Sequence, residues 1–217
     1  LLPWEGHRAG AAQFQTIARA VFKSGVSFLT LWAASEDNLL KRSKVEVGWL
    51  VRIFTEHLQD DAFFEELREN QTRFRVLGRG PEIVKSIVKN DALENVIAGL
   101  EAKTRLFGQC NLTILFGYDG RAEMTDAMRR LAHDNLSEIR YDDVKSRLWT
   151  CDLPTVDLVI RTGEEDTDWA HWSSGFMMWD TANAEFYFTK TFWPAFSEAE
   201  LGKVLEDYQR RRKAGGA

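Results

Sequence analysis

The sequence predicts an α/β fold: one domain, residues 1–217, with a mostly parallel sheet flanked by helices. Short continuous apolar runs such as "VSFLTLWAAS" and "TVDLVIRT" read as strands covered on both faces. Between them lie stretches whose apolar residues recur at helical spacing, so strands and helices alternate, the pattern of parallel strands joined by crossover helices. No internal repeat or low-complexity linker divides the chain, and 217 residues suffice for one substantial core.

Phe14, Ile17, Ala18, Val21 and Phe22 mark a first helix over Gln13 to Phe22, and "KSG" closes it with a glycine. "VSFLTLWAAS" is the first strand, ending at Ser35. Val47, Leu50, Val51, Phe54 and Leu58 form the stripe of a second helix, which extends through Phe63, Phe64 and Leu67. "RFRVLG" is a strand, followed by a helical stretch from about Pro81 to Arg105, the strand "CNLTILFG", a helix from near Gly120 and a shorter one around Val144 to Trp149. "TVDLVIRT" and the short "AEFYF" are strands. Ser197 to Arg212 closes the chain as a helix whose basic last turn suits its dipole.

A hydrophobic fraction of 44% and a charged fraction of 28% fit an ordinary globular protein. The net charge of −5 argues against nucleic acid as a partner, so any phosphate must be met by local arginines, backbone N–H groups or a metal ion. Cys110 and Cys151 lack C-x-x-C spacing and are expected as reduced thiols in a cytoplasmic protein. No apolar run approaches the roughly 20 residues of a membrane span. The chain opens at Leu1 and runs straight into "LLPWEGHRAG", so further residues are expected upstream.

Ligands of such folds sit beyond the carboxyl ends of the strands. Polar or glycine-containing stretches follow four strands here: "SEDN", "GRGP", "GYDGR" and "RTGEE". If the sheet is parallel they share one edge, and Arg161 aims a planar fork of donors into a cleft. An internal salt bridge to Glu164 or Glu165 is the alternative. His7, in "GHRAG" before the first helix, is placed either to meet an anion at that helix's N-terminus or to pack locally. Asp37, Glu164, Glu165 and Glu185 are candidate magnesium carboxylates, and Glu185, within "ANAEFYF", needs a partner. The helix from Val47 to Leu58 is wide enough in its apolar stripe to line a tunnel or to serve the core.

The ordered series "GHRAG", "LTLWAASEDN", "LFGYDGR", "DLPTVDLVIRTG", "SGFMMWDTANAEFYF" and "FWPAF" resembles the cis-prenyltransferases, the family of undecaprenyl diphosphate synthase, over essentially the whole chain. The resemblance implies a magnesium-dependent condensation of an allylic diphosphate with isopentenyl diphosphate that creates a Z double bond. It also implies a homodimer, a product growing into a hydrophobic tunnel, and peripheral membrane contact through the lipid product. Gly6 and His7 match residues beside the allylic diphosphate, with Arg8 as a neighbouring substrate-binding cation. Ser35, Asp37 and Asn38 match a Ser-Thr-Glu-Asn stretch near the reacting centre, and Leu39, standing where the family has tryptophan, is expected at the substrate. Arg161 and Ser174 match residues that bind isopentenyl diphosphate, and Glu185 matches a glutamate associated with the metal.

The family's Asp-Gly-Asn-x-Arg-Trp segment, with its magnesium-binding aspartate, would lie just upstream of Leu1, so the first strand and diphosphate loop are expected there. Pro3 and Trp172 fall where the family has arginine, and the family's C-terminal Arg-x-Gly appears as "KAG". A non-catalytic subunit that binds an active homologue is the alternative these departures favour. A different phosphorylated ligand is a third reading, without a G-x-G-x-x-G or G-x-x-x-x-G-K-[ST] loop to carry it.

Overall fold

The computed structural model describes residues 3–89, 91–134, 136–163 and 175–214. Helices and strands alternate from the start: α1 (Pro3–Lys23), β1 (Phe28–Ser35), α2 (Glu36–Lys41), α3 (Lys44–Leu58), α4 (Asp61–Glu69), β2 (Thr72–Leu77), α5 (Gly80–Val88) and α6 (Ala92–Thr104). The chain continues through β3 (Cys110–Tyr118), α7 (Gly120–His133), α8 (Tyr141–Lys145), β4 (Leu158–Thr162), β5 (Glu185–Thr189), a 3-10 turn over Trp193–Ala195, and α9 (Glu198–Ala214).

Two expected helices are each broken in two. The Asp60 carboxylate accepts the Ala62 N–H at 2.9 Å and starts α4 afresh, although Phe63 and Leu67 bury in the same core as α3. Lys89 takes a left-handed conformation, φ 53°, and ends α5 before α6 begins. The first helix begins ten residues earlier than the apolar spacing alone predicts, because "GHRAG" is helical within α1.

Every strand pair is parallel, but the described residues form two sheets, β1-β3-β2 and β4-β5, rather than one. Their relative sense follows from α1. Trp193 Nε1 donates to the Gly10 carbonyl at 2.9 Å, fastening the first half of α1 to the turn just beyond β5. The last residue of α1 leads almost directly into β1, which therefore runs back toward the end where β4 and β5 finish.

The main core lies on one face of the three-stranded sheet, with Phe74, Leu112, Ile114 and Phe116 against Val47, Phe63, Val84 and Ile97. Ile17 and Val21 of α1 pack with Leu201 and Val204 of α9 over Leu158 and Ile160 of β4. The outer edge of β2 is closed by α6. Thr104 Oγ1 accepts the Phe74 N–H at 3.1 Å and Glu101 Oε1 accepts the Val76 N–H at 2.8 Å, so the strand offers these two donors to no other chain.

Candidate active site

Tight backbone packing brings the ends of β2 and β3 together. Arg79 N–H donates to the Gly117 carbonyl at 3.1 Å, and a Cβ on Gly80 would fall 2.0 Å from Phe116 Cδ1, so only glycine fits there. Arg79 then reaches the end of β1, with Nη1 3.2 Å from Glu36 Oε1. Asp119 caps α7 by accepting the N–H groups of Arg121 (2.9 Å) and Ala122 (3.1 Å), and it pairs with the Arg121 side chain at 3.4 Å. A hydrogen bond from Lys41 at 2.6 Å, aided by the charge of Arg121, holds the exposed Asp37 carboxyl below the usual range. The polar stretches after β1, β2 and β3 thus meet at one edge, as the parallel-sheet reading expects.

Arg161 is the fourth of five residues in β4, half-buried, and borders a cavity of 1330 Å³. Immediately after it the chain turns at Gly163, φ 75°, where a Cβ would lie 2.9 Å from Phe192 Cδ1. Leu50, Ile53, Phe54 and His57 of α3, with Ile114 and Phe116 of β3, are among the residues that border this cavity. The stripe of α3 therefore serves both readings given to it: Val47 and Leu58 enter the core and its neighbours line the hollow. Burial pushes the His57 imidazole below its ordinary pKa, against the opposing charges of Asp60 and Glu66, and its buried Nε2 finds no hydrogen-bond partner among the described residues.

Ser35 and Asn38 do stand at the shared edge, but as a reciprocal capping box. The Asn38 N–H donates to Ser35 Oγ at 3.0 Å and the Ser35 N–H to Asn38 Oδ1 at 3.3 Å, starting α2. Leu39, expected at the substrate, is fully buried in the main core, on the inward face of α2. Gly6 and Arg8 are exposed on α1, inside the helix rather than before it, and Gly6 borders the cavity. The side chain of His7 lies outside the described residues, as do Glu164, Glu165, Trp172 and Ser174.

Glu185 is not at this edge. It opens β5 in register with Leu158, whereas Arg161 faces Phe188. Its expected partner is Arg211 of α9, with Nη1 3.0 Å from a buried Oε2 that accepts no aligned hydrogen bond. Among the described residues no group of three or more His, Cys, Asp or Glu is arranged to hold a metal ion. Among the described residues no helix is long and apolar enough to cross a membrane.

Sequence spacing also passed over a buried polar cluster of Tyr118, Glu123, Thr150 and Asp180 behind the edge. Only "GYDGR" and the oddity of an acid three residues after Gly120 pointed toward it.

The family model described as "Putative undecaprenyl diphosphate synthase" matches residues 2–216. An isoprenyl transferase of Helicobacter hepaticus is 34% identical over 221 residues, covering 98% of this chain and 87% of its own. One from Fusobacterium nucleatum is 33% identical over 212 residues, covering 97% and 86%. The crystal structure of lavandulyl diphosphate synthase from Lavandula x intermedia, in complex with dimethylallyl diphosphate, superposes with a TM-score of 0.81 at 28% identity, over 94% of this chain and 85% of that one.

Proposed function

Because this chain belongs to the undecaprenyl diphosphate synthase family of cis-prenyltransferases, we propose that it condenses isopentenyl diphosphate with an allylic diphosphate, setting a Z double bond in a growing polyprenyl diphosphate. One observation carries the reading: a large apolar cavity opens beside a cation at the carboxyl ends of parallel strands. A diphosphate needs the cation and a polyprenyl tail needs the hollow, and the two adjoin.

Arg161 binds and orients diphosphate oxygens through its planar fork. Leu50, Ile53, Phe54 and Phe116 receive the tail and keep water from the allylic carbon while it carries positive charge. Magnesium belongs to this reading, since it would neutralise the charge that develops on the departing diphosphate. The described carboxylates do not fit it by themselves: Glu36, Asp37 and Asp119 are paired with cations, and Glu185 lies at the other end of β5. A homodimer, a cytoplasmic location and peripheral membrane contact through the product complete the proposal.

The proposal extends to a strand supplied from upstream of Leu1. Every residue from Val26 to Ala33 and from Leu153 to Thr162 borders the cavity. A strand that presented one face would show alternate residues, so β1 and β4 border it through their edges. Among the described residues β1 pairs only with β3, and β4 only with β5. An extended segment carrying the family's Asp-Gly-Asn-x-Arg-Trp motif would pair with both edges and end beside Arg161. From there α1 would serve as the right-handed crossover into β1. The part of the cavity bordered by Leu50, Ile53 and Phe54 of α3 would then take the tail.

The test incubates the full-length protein with radiolabelled isopentenyl diphosphate, geranyl or farnesyl diphosphate, and magnesium. Labelled polyprenyl products of Z configuration are expected; no labelled lipid with any pairing overturns the reading. The alternative of a non-catalytic subunit loses one of its supports, since Leu39 is accounted for by core packing.

A further inference from the structure

The face that α1 turns to the cavity changes character along its length. Gly6, Gly10, Phe14, Ile17 and Val21 all border the cavity and recur every three or four residues, so they form one stripe of the helix. The stripe opens with two glycines and continues with three large apolar side chains. A Cβ on Gly6 would meet nothing within 4 Å, whereas one on Gly10 would lie 3.3 Å from Trp193 Cδ1 and 3.6 Å from Trp193 Nε1.

Trp193 accounts for the second glycine. A glycine inside a helix costs free energy relative to alanine, but here it lets the indole reach the main chain, where Nε1 donates to the Gly10 carbonyl at 2.9 Å. One helical turn on, Gln13 Nε2 donates to the Phe196 carbonyl. The turn that carries both partners is itself fixed. The Ala195 N–H donates to the Phe192 carbonyl at 2.9 Å and the Phe196 N–H to the Trp193 carbonyl at 3.2 Å, with Pro194 restricting the backbone between them. The Trp193 ring stacks at 6.5 Å on Phe196, which is buried with Ile17, Leu201 and Val204. The first half of α1 therefore takes its position from the exit of β5.

We infer that Trp193 is a positioning residue that latches the first half of α1 as a wall of the cavity, aligning Phe14 and Ile17 with the tail of the allylic diphosphate. The inference rests on the transferase reading, in which that tail occupies the cavity. From Gly6 to Val21 the stripe runs about 22 Å along the helix. Its glycine end offers no side chain to a short group, whereas a longer tail reaches Phe14 and then Ile17, so the contribution of the latch grows with tail length. The five-carbon isopentenyl group gains little from it.

Hydrogen exchange and steady-state kinetics on the full-length protein test this together. Trp193→Phe keeps an aromatic ring and removes the N–H donor. It is expected to speed exchange in a peptide spanning residues 6–14 by roughly fivefold, leaving α6 unchanged. The KM for farnesyl diphosphate is expected to rise roughly fivefold, with those for dimethylallyl and isopentenyl diphosphate within about twofold and kcat within about threefold. Gly10→Ala supplies a better helix former yet presses on the indole, so it should raise the farnesyl KM as well, and adding it to Trp193→Phe should change little further. A merely structural weakening gives no such grading by tail length. Gly10→Ala reads the same latch should Trp193→Phe fail to fold. Unchanged exchange at residues 6–14 overturns the latch, and equal KM rises for farnesyl and dimethylallyl diphosphate overturn its link to the tail. A wild-type protein inactive with every substrate pair would sink the transferase reading and the tail-linked role with it, whereas an active wild type whose variants show no grading sinks the role alone.

Discussion

Arg161 and Glu185 stand at opposite ends of one strand pair. Leu158 faces Glu185 and Arg161 faces Phe188, so three residues, about 10 Å of strand, separate them. The two residues therefore have different work within one chain. Arg161→Met should lower kcat/KM by about 100-fold or more by removing a charged donor from the diphosphate. A double-mutant cycle between Glu185 and Arg211 should show coupling of roughly 0.5–3 kcal/mol in thermal stability, and one between Glu185 and Arg161 should not.

The part of the cavity bordered by α3 should set product length. Replacing Ile53 with tryptophan fills space beside Phe54, and the variant should release shorter labelled polyprenyl chains than the wild type, while Phe54→Ala should release longer ones. Chromatography of the dephosphorylated products reads the shift directly. Identical product distributions would separate this part of the cavity from the tail.

His57 makes the fold sensitive to mild acid. Burial lowers its folded-state pKa, so the unfolded chain binds the proton more readily. The contribution of the neutral imidazole is complete above the ordinary histidine value of about 6.5 and is lost as pH falls through the folded-state value. Melting temperature should drop as pH falls below about 6.5, and His57→Phe should flatten that slope.

Glu101 presents the opposite sign. Its carboxyl is pushed up chiefly by burial, while the Val76 N–H and then Arg75 pull it down. A raised folded-state value means a contribution complete below the ordinary glutamate pKa and lost as pH rises through the folded one. Glu101→Gln keeps an acceptor for Val76 and should hold or raise the melting temperature at neutral pH. Glu101→Ala leaves that donor without its partner and should cost about 1–3 kcal/mol.

Strand and helix periodicity made most of this architecture legible, because alternating apolar runs respond to burial, which is local in sequence. Breaks such as those at Asp60 and Lys89 were hidden, since the apolar stripe runs on through them while one cap or one left-handed residue ends the helix. The shared edge of Glu36, Arg79 and Arg121 followed from the parallel topology of β1, β2 and β3. A motif match marks Glu185 as a metal carboxylate but lists only neighbours in sequence, whereas the direction of β5 decides which end of the strand the residue occupies. The family's tryptophan position points Leu39 at substrate, but helical rotation turns it inward. The Tyr118–Glu123–Asp180 cluster joins residues up to 62 apart, beyond the reach of any spacing rule.

Helix α6 closes the β2 margin of the sheet, so hydrogen-bonded growth is one-sided. β1, on the far side, pairs among the described residues only with β3, and its residues from Phe28 to Ala33 border the cavity. If the strand proposed there is left out, the chain should behave as an adhesive template, capturing extended segments from neighbouring copies and precipitating as it is concentrated. Restoring that strand should convert the same molecule into a freely dispersed one.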